Sequence, residues 1–144
     1  MTTRTRKAIL EDLQELLPIR QTYKTEWAVN FADSLDGSDS SKSIVMILPR
    51  RSTVTAIVFN CRRDILQALS VRVDELRNSG RPVLPNRLDD RIVVDGCGPN
   101  DVLSLVEVVS KIEGRELAKI DSPKFAPVLP KLVIAYIGEQ SPAC

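Results

Sequence analysis

Histidine is absent from this 144-residue sequence. That gap removes Ser-His-Asp and Cys-His nucleophilic catalysis, histidine general bases and histidine metal ligands. Lysine, carboxylate or cofactor chemistry is what remains open to an enzyme. Cysteine is scarce: Cys61, Cys97 and Cys144 are odd in number and show no CxxC spacing. They argue against a disulfide framework and a cysteine-rich zinc site, and for a reducing intracellular compartment. Neither sign of charge dominates, since 20 Lys and Arg face 19 Asp and Glu. A net charge of +1 exerts no global pull on nucleic acid or on an anionic membrane surface. No apolar run approaches the ~20 residues that cross a bilayer, so no membrane partner is expected. The basic start turns amphipathic at once, with neither a continuous apolar segment nor a cleavage site, and no signal peptide is expected.

What is present is an ordinary globular composition, 43% hydrophobic and 27% charged, at a length expected of one domain. The apolar signal is densest over residues 43–78. Residues 44–48 (IVMIL) are apolar without interruption, which predicts a strand covered on both faces. Residues 49–52 (PRRS) suit a turn, because proline presets the backbone angle of its second position. Residues 53–59, rich in Val, Thr, Ile and Phe, predict a second strand. Asn60 is the expected cap of a helix whose stripe is Ile65, Leu66, Leu69, Val73 and Leu76, ending at Asn78, Ser79 and Gly80.

Before this core, residues 1–7 are a basic lead-in. Ile9, Leu10, Leu13, Leu16 and Leu17 then recur at helical spacing until Pro18. Alternation over residues 23–31 predicts a half-buried strand with Tyr23, Trp27, Val29 and Phe31 on one face. Residues 32–42 form a polar loop. After the core, Pro82 and Pro85 predict an irregular connection over residues 81–91. A short strand over residues 92–95 leads into a helix with Val102, Leu103, Val106, Val109 and Ile112 as its stripe. Pro99 stands at its start and Gly114 at its exit. No assignment follows for residues 115–121. Residues 122–130 are proline-rich, and residues 132–137 (LVIAYI) predict a closing, central strand. The expected order is α-β-β-β-α-β-α-β. It describes one α+β domain over residues 1–144, with a mixed sheet of about five strands and three amphipathic helices.

Few stretches suggest chemistry. The acids of residues 33–41 (DSLDGSDSS) sit three apart, and the twelfth position from Asp33 is Ile44, so the pattern of a calcium loop is not met. A solvated loop is the simpler reading. In residues 95–101 (DGCGPND), Asp101 stands where a dinucleotide fingerprint needs its third glycine, and an acid there competes with phosphate for the helix dipole. A strand-to-helix turn accounts for that stretch. Cys97 within it is expected to be a packed residue rather than a reactive thiol, having no histidine base. Asp89, Asp90 and Asp95 are the carboxylates an enzyme using a metal would draw on. The arginine pairs Arg50–Arg51 and Arg62–Arg63, joined by Arg4, Arg6 and Lys7, form the candidate contact patch. Solvated turn charge is the plain reading of the pairs, phosphate binding the sharper one.

The order of the first five elements is similar to that of the double-stranded RNA-binding domain. That family's glycine-proline-histidine loop and lysine-rich helix start have no counterpart in this chain, whose helix opens CRRDILQ. The opening helix TRKAILEDLQELL, the strands and helix after it, and the closing LVIAYI strand together resemble phage tail-terminator and neck proteins. The helix over residues 99–113 departs from that pattern. The resemblance implies a non-enzymatic, ring-forming subunit at a head–tail or tail-end joint, in a host cytoplasm or virion. The expected function is therefore a structural or assembly subunit, with copies of itself and other structural proteins as partners and no cofactor or metal. A nucleic-acid-binding module using the arginine pairs is the alternative, and a carboxylate–metal enzyme the third reading.

Overall fold

The computed structural model describes residues 5–33 and 42–119. The lead-in at residues 1–4, most of the polar loop, the proline-rich segment and the expected LVIAYI strand lie outside those residues. The chain begins with helix α1 (Arg6–Leu16), capped by the Thr5 hydroxyl, which accepts from the Ala8 amide. The α1 stripe buries Ile9 and Leu13, and Pro18 then ends the helix. Two strands follow, β1 (Ile19–Tyr23) and β2 (Glu26–Val29), as an antiparallel hairpin. One long strand was expected here. The Lys24-Thr25 tip breaks it, and Tyr23 ends β1 with 61% of its surface exposed.

Strands β3 (Ile44–Pro49) and β4 (Val54–Phe59) make the central hairpin. Its turn lies one residue beyond the expected place, with the Arg50 amide donating to the Thr53 carbonyl at 2.8 Å. Helix α2 (Arg63–Asn78) starts later than expected, with Arg62 at the cap position. Asn60 does not cap it. It takes a positive φ of 60°, and its side chain donates to the Lys42 carbonyl at 3.1 Å. The prolines of the next connection do not prevent a strand: β5 (Leu84–Arg87) pairs with β6 (Ile92–Cys97). Pro85 is tolerated because β5 is an edge strand, where one missing amide donor costs no ladder bond on its outer side. Helix α3 (Pro99–Glu113) completes the described order, with Gly114 in the left-handed conformation at its exit.

The described residues thus give α-β-β-β-β-α-β-β-α, an α+β domain. Its sheet has six strands rather than about five, in the order β1-β2-β3-β4-β6-β5, and every pairing is antiparallel rather than mixed. All three helices pack on one face. Ile9 and Leu13 of α1, Ile65 and Leu69 of α2, and Val102, Leu105, Val106 and Val109 of α3 share a single core with Val45, Ile47, Ala56, Val58, Ile92 and Val94. Burial of these side chains supplies the main stabilising term, about 1.5–3 kcal/mol for each large aliphatic one.

Two polar arrangements fix the ends of α3. At its start the Asp101 carboxylate accepts from the Gly98 amide at 2.8 Å and from Arg81 Nη2 at 2.8 Å. At its end Arg115 is buried with 7% exposure. It grips Asp33 with two bonds (2.9 and 3.0 Å), Glu113 Oε1 at 2.8 Å and the Ser43 carbonyl at 2.7 Å, while its guanidinium lies 3.9 Å from the Phe31 ring centre. Glu113 in turn accepts from the Ser43 hydroxyl at 2.8 Å. The segment after α3 also bridges Leu117 to Phe31, which ties the end of β2, the start of β3 and the end of α3 into one node.

Candidate functional site

The face of the sheet turned away from the helices carries no helix among the described residues. Alternation along a strand sends successive side chains to opposite faces. In β3, Val45 and Ile47 enter the core at 1% and 0% exposure, whereas Ile44 is 50% exposed and Met46 and Leu48 are only half-buried. The IVMIL run was expected to be covered on both sides. Among the described residues its helix-free side has no covering element.

The register carries the same feature across the sheet. Met46 pairs with Ile57 of β4, and Ile57 pairs with Val93 of β6, which makes one apolar row on the open face. Ile44 pairs with Phe59 in the adjoining row, and Leu48 lies beside Thr55 on the other side. Polar groups surround this centre. Arg20 of β1 bonds the Asn30 side chain at one margin. At another, Arg50 donates to the Thr55 hydroxyl at 3.2 Å, which donates to Asp95 at 2.6 Å. Arg91 stacks 4.8 Å over the Phe59 ring and pairs with Asp90 at 3.0 Å. An apolar centre inside a polar margin is the anatomy of a protein-contact surface.

Among the described residues, the two edge strands of the sheet are poor templates for an added strand. β1 carries an irregularity in register between Gln21 and Tyr23, and β5 contains Pro85. Both features blunt a free edge.

The candidate basic residues do not form one patch. Arg50 and Arg51 lie at the turn before β4, and Arg62 and Arg63 follow its other end. A six-residue strand of roughly 20 Å separates the pairs. Arg62 is engaged by Asp64 through two bonds of 3.1 Å, which hold its pKa above the ordinary value. Arg50 reaches the margin of the open face. Arg6 and Lys7 are exposed at the start of α1, and Arg4 lies outside the described residues.

The carboxylates named for metal chemistry are also apart. Asp90 sits in the turn before β6 and Asp95 near that strand's far end, held by Thr55. Among the described residues no three His, Cys, Asp or Glu side chains converge as a metal site. Asp33 of the acidic loop is turned to Arg115, whose hydrogen bond holds the Asp33 carboxyl below the usual carboxylate value. Cys97 is buried at 0% exposure, and burial pushes its thiol up to about 12, with Asp101 and Asp95 adding to the shift. Cys61 is likewise pushed up to about 11 by burial. Both thiols are packed and protonated at neutral pH.

The start of α3 holds no free anion cradle, because Asp101 already occupies the amide-rich end as the sequence suggested. What sequence reasoning missed is Arg115, in a stretch without periodicity, and the partial exposure of Ile44, Met46, Leu48 and Ile57 on the helix-free face. The signal for the second was present as an excess: residues 44–48 supply more apolar faces than one helical layer covers. Comparisons with protein-family models, curated proteins and solved structures return no match.

Proposed function

We propose that this protein is a non-enzymatic assembly subunit that works through protein contacts, and that the open sheet face centred on Met46, Ile57 and Val93 is its docking surface. One observation carries the reading: the central strands are apolar on both faces, and the described helices cover one of them. Solvent contact with that row is unfavourable by roughly 25 cal/mol per Å2 of apolar area, so a partner that covers it gains affinity from the contact. The blunted edges favour face-to-face docking over strand addition. The ring subunit of a phage neck or tail end, implied by the resemblance in element order, is one form of this role.

The test is the double variant Met46→Glu, Ile57→Glu, expressed in the cells that make the protein. Wild type is expected to elute in a complex larger than its own 16.0 kDa. The variant is expected to keep its helical circular dichroism and melting temperature but leave that complex. Elution of the folded variant in the same complex as wild type contradicts the proposal.

A further inference from the structure

A second apolar surface lies on the opposite side of the molecule, between the outer faces of α2 and α3. It is a groove of about 720 Å3 whose floor is Ala68, Val71, Val108 and Ile112. Val71 is 47% exposed and Ile112 36% exposed. Residues 68, 71, 72 and 75 follow helical spacing along α2, and residues 107, 108, 111 and 112 along α3, so the groove runs the length of two turns.

Charge is unevenly placed along it. The two helices run antiparallel, α2 leaving the sheet after β4 and α3 returning after β6. Arg72 marks the register: its guanidinium donates to the Ser104 carbonyl at 3.0 Å and to the Ser104 hydroxyl at 2.8 Å. It lies 3.1 Å from Glu75 and 3.9 Å from Glu107. One end of the groove therefore holds two carboxylates around one guanidinium, a local charge of −1. Both carboxylates are largely exposed, at 63% for Glu75 and 65% for Glu107. The other end carries Lys111, which is exposed, lies one turn beyond Glu107 on α3, and forms no salt bridge among the described residues. The local charge there is +1.

We infer that this groove is the contact surface for a second copy of the chain, joined by a two-fold axis through its centre. A patch that meets its own copy must complement itself. A surface of one sign repels its copy, whereas a groove with opposite charges at its two ends matches itself when the copy is reversed. Reversal sets Lys111 of the partner subunit against Glu75 and Glu107, and the partner's Glu75 and Glu107 against Lys111. Val71 and Ile112 of the two copies then close over the axis, forming a layer of four helices. The sheet faces point outward on both sides, so a dimer built this way presents two docking faces for the role proposed above. Self-pairing presupposes that contact role for its use, yet it fails separately, because it is read on the purified chain and the other in the cellular complex.

The experiment is sedimentation equilibrium of the purified full-length chain from low micromolar to millimolar concentration. Wild type is expected to reach about 32 kDa, twice 16.0 kDa. Lys111→Glu makes both ends of the groove negative, and Glu75→Lys with Glu107→Lys makes both positive. Each variant alone is expected to dimerise at least about tenfold more weakly, by like-charge contact. An equimolar mixture of the two is expected to recover the dimer as a heterodimer, which a folding defect would not produce. A wild-type mass that stays at 16.0 kDa throughout overturns the inference. So does a dimer whose mass neither variant changes, or a mixture that stays as weak as its components.

Discussion

Arg115 shows how one side chain holds the end of a fold together. Its guanidinium, itself buried, meets the buried Glu113, the partly exposed Asp33, a backbone carbonyl and an aromatic face. Burial opposes the Arg115 charge, but the bonds to Asp33 and Glu113 outweigh it and hold its pKa above the ordinary value. Removing the cation leaves the Glu113 side chain, 1% exposed, without its ion-pair partner and held by Ser43 alone. Such a loss costs about 3–5 kcal/mol, and Arg115→Ala is expected to lower stability by that amount in urea denaturation. Asp33 adds a pH dependence of known sign. Its carboxyl titrates lower in the folded chain than in the unfolded one, so its contribution is present above the ordinary carboxylate value and fades as pH falls through the folded value. Wild type is expected to lose that increment on acidification, and the Arg115→Ala variant to have little of it to lose. Equal acid sensitivity of the two chains contradicts the assignment. None of this was visible in the sequence, because a buried arginine leaves no periodicity and its partners lie up to 82 positions away.

At the scale of elements, legibility followed apolar patterning. Helices α1, α2 and α3 and strands β3 and β4 were readable because their stripes and runs are strong. Strand β1 was missed because IRQTY is mostly polar and exposed, its place secured by pairing with β2 rather than by burial. Strand β5 was missed because proline argues against a strand, and only the topology shows that this one is an edge. The start of α3 was legible in composition and is confirmed in geometry. Gly96 takes a φ of 76°, and a Cβ there would stand 2.3 Å from the Pro82 carbonyl oxygen. The Asp101 carboxylate then satisfies the Gly98 amide and holds Arg81. Asp101→Ala leaves the Gly98 amide without its acceptor and is expected to cost about 1–3 kcal/mol, read as a lower urea midpoint with unchanged slope. A neutral result would show that the carboxylate does not serve as the cap.

At the scale of the whole molecule, the described residues give the sheet a helical side and a side without a helix, each with an apolar surface. The helical side carries the charge-graded groove between α2 and α3. The open side carries the Met46–Ile57–Val93 row inside its polar margin. The α+β class was legible from element types alone. The all-antiparallel order was not, since it depends on which strands pair across distance. The patch of basic residues was legible only as a list, because the length of β4 separates its two pairs.

The central claim, that the open sheet face is where this protein meets its partner, is tested most directly by placing a photoreactive amino acid at single positions in the cells that make it. Met46 and Ile57 report on the open face, and Gln14 and Asp74, both exposed on helices, serve as controls. A discrete adduct of one mass, formed from positions 46 and 57 and not from 14 or 74, is the result expected. The claim is contradicted if positions 46 and 57 stay uncrosslinked, or if all four positions give the same adducts.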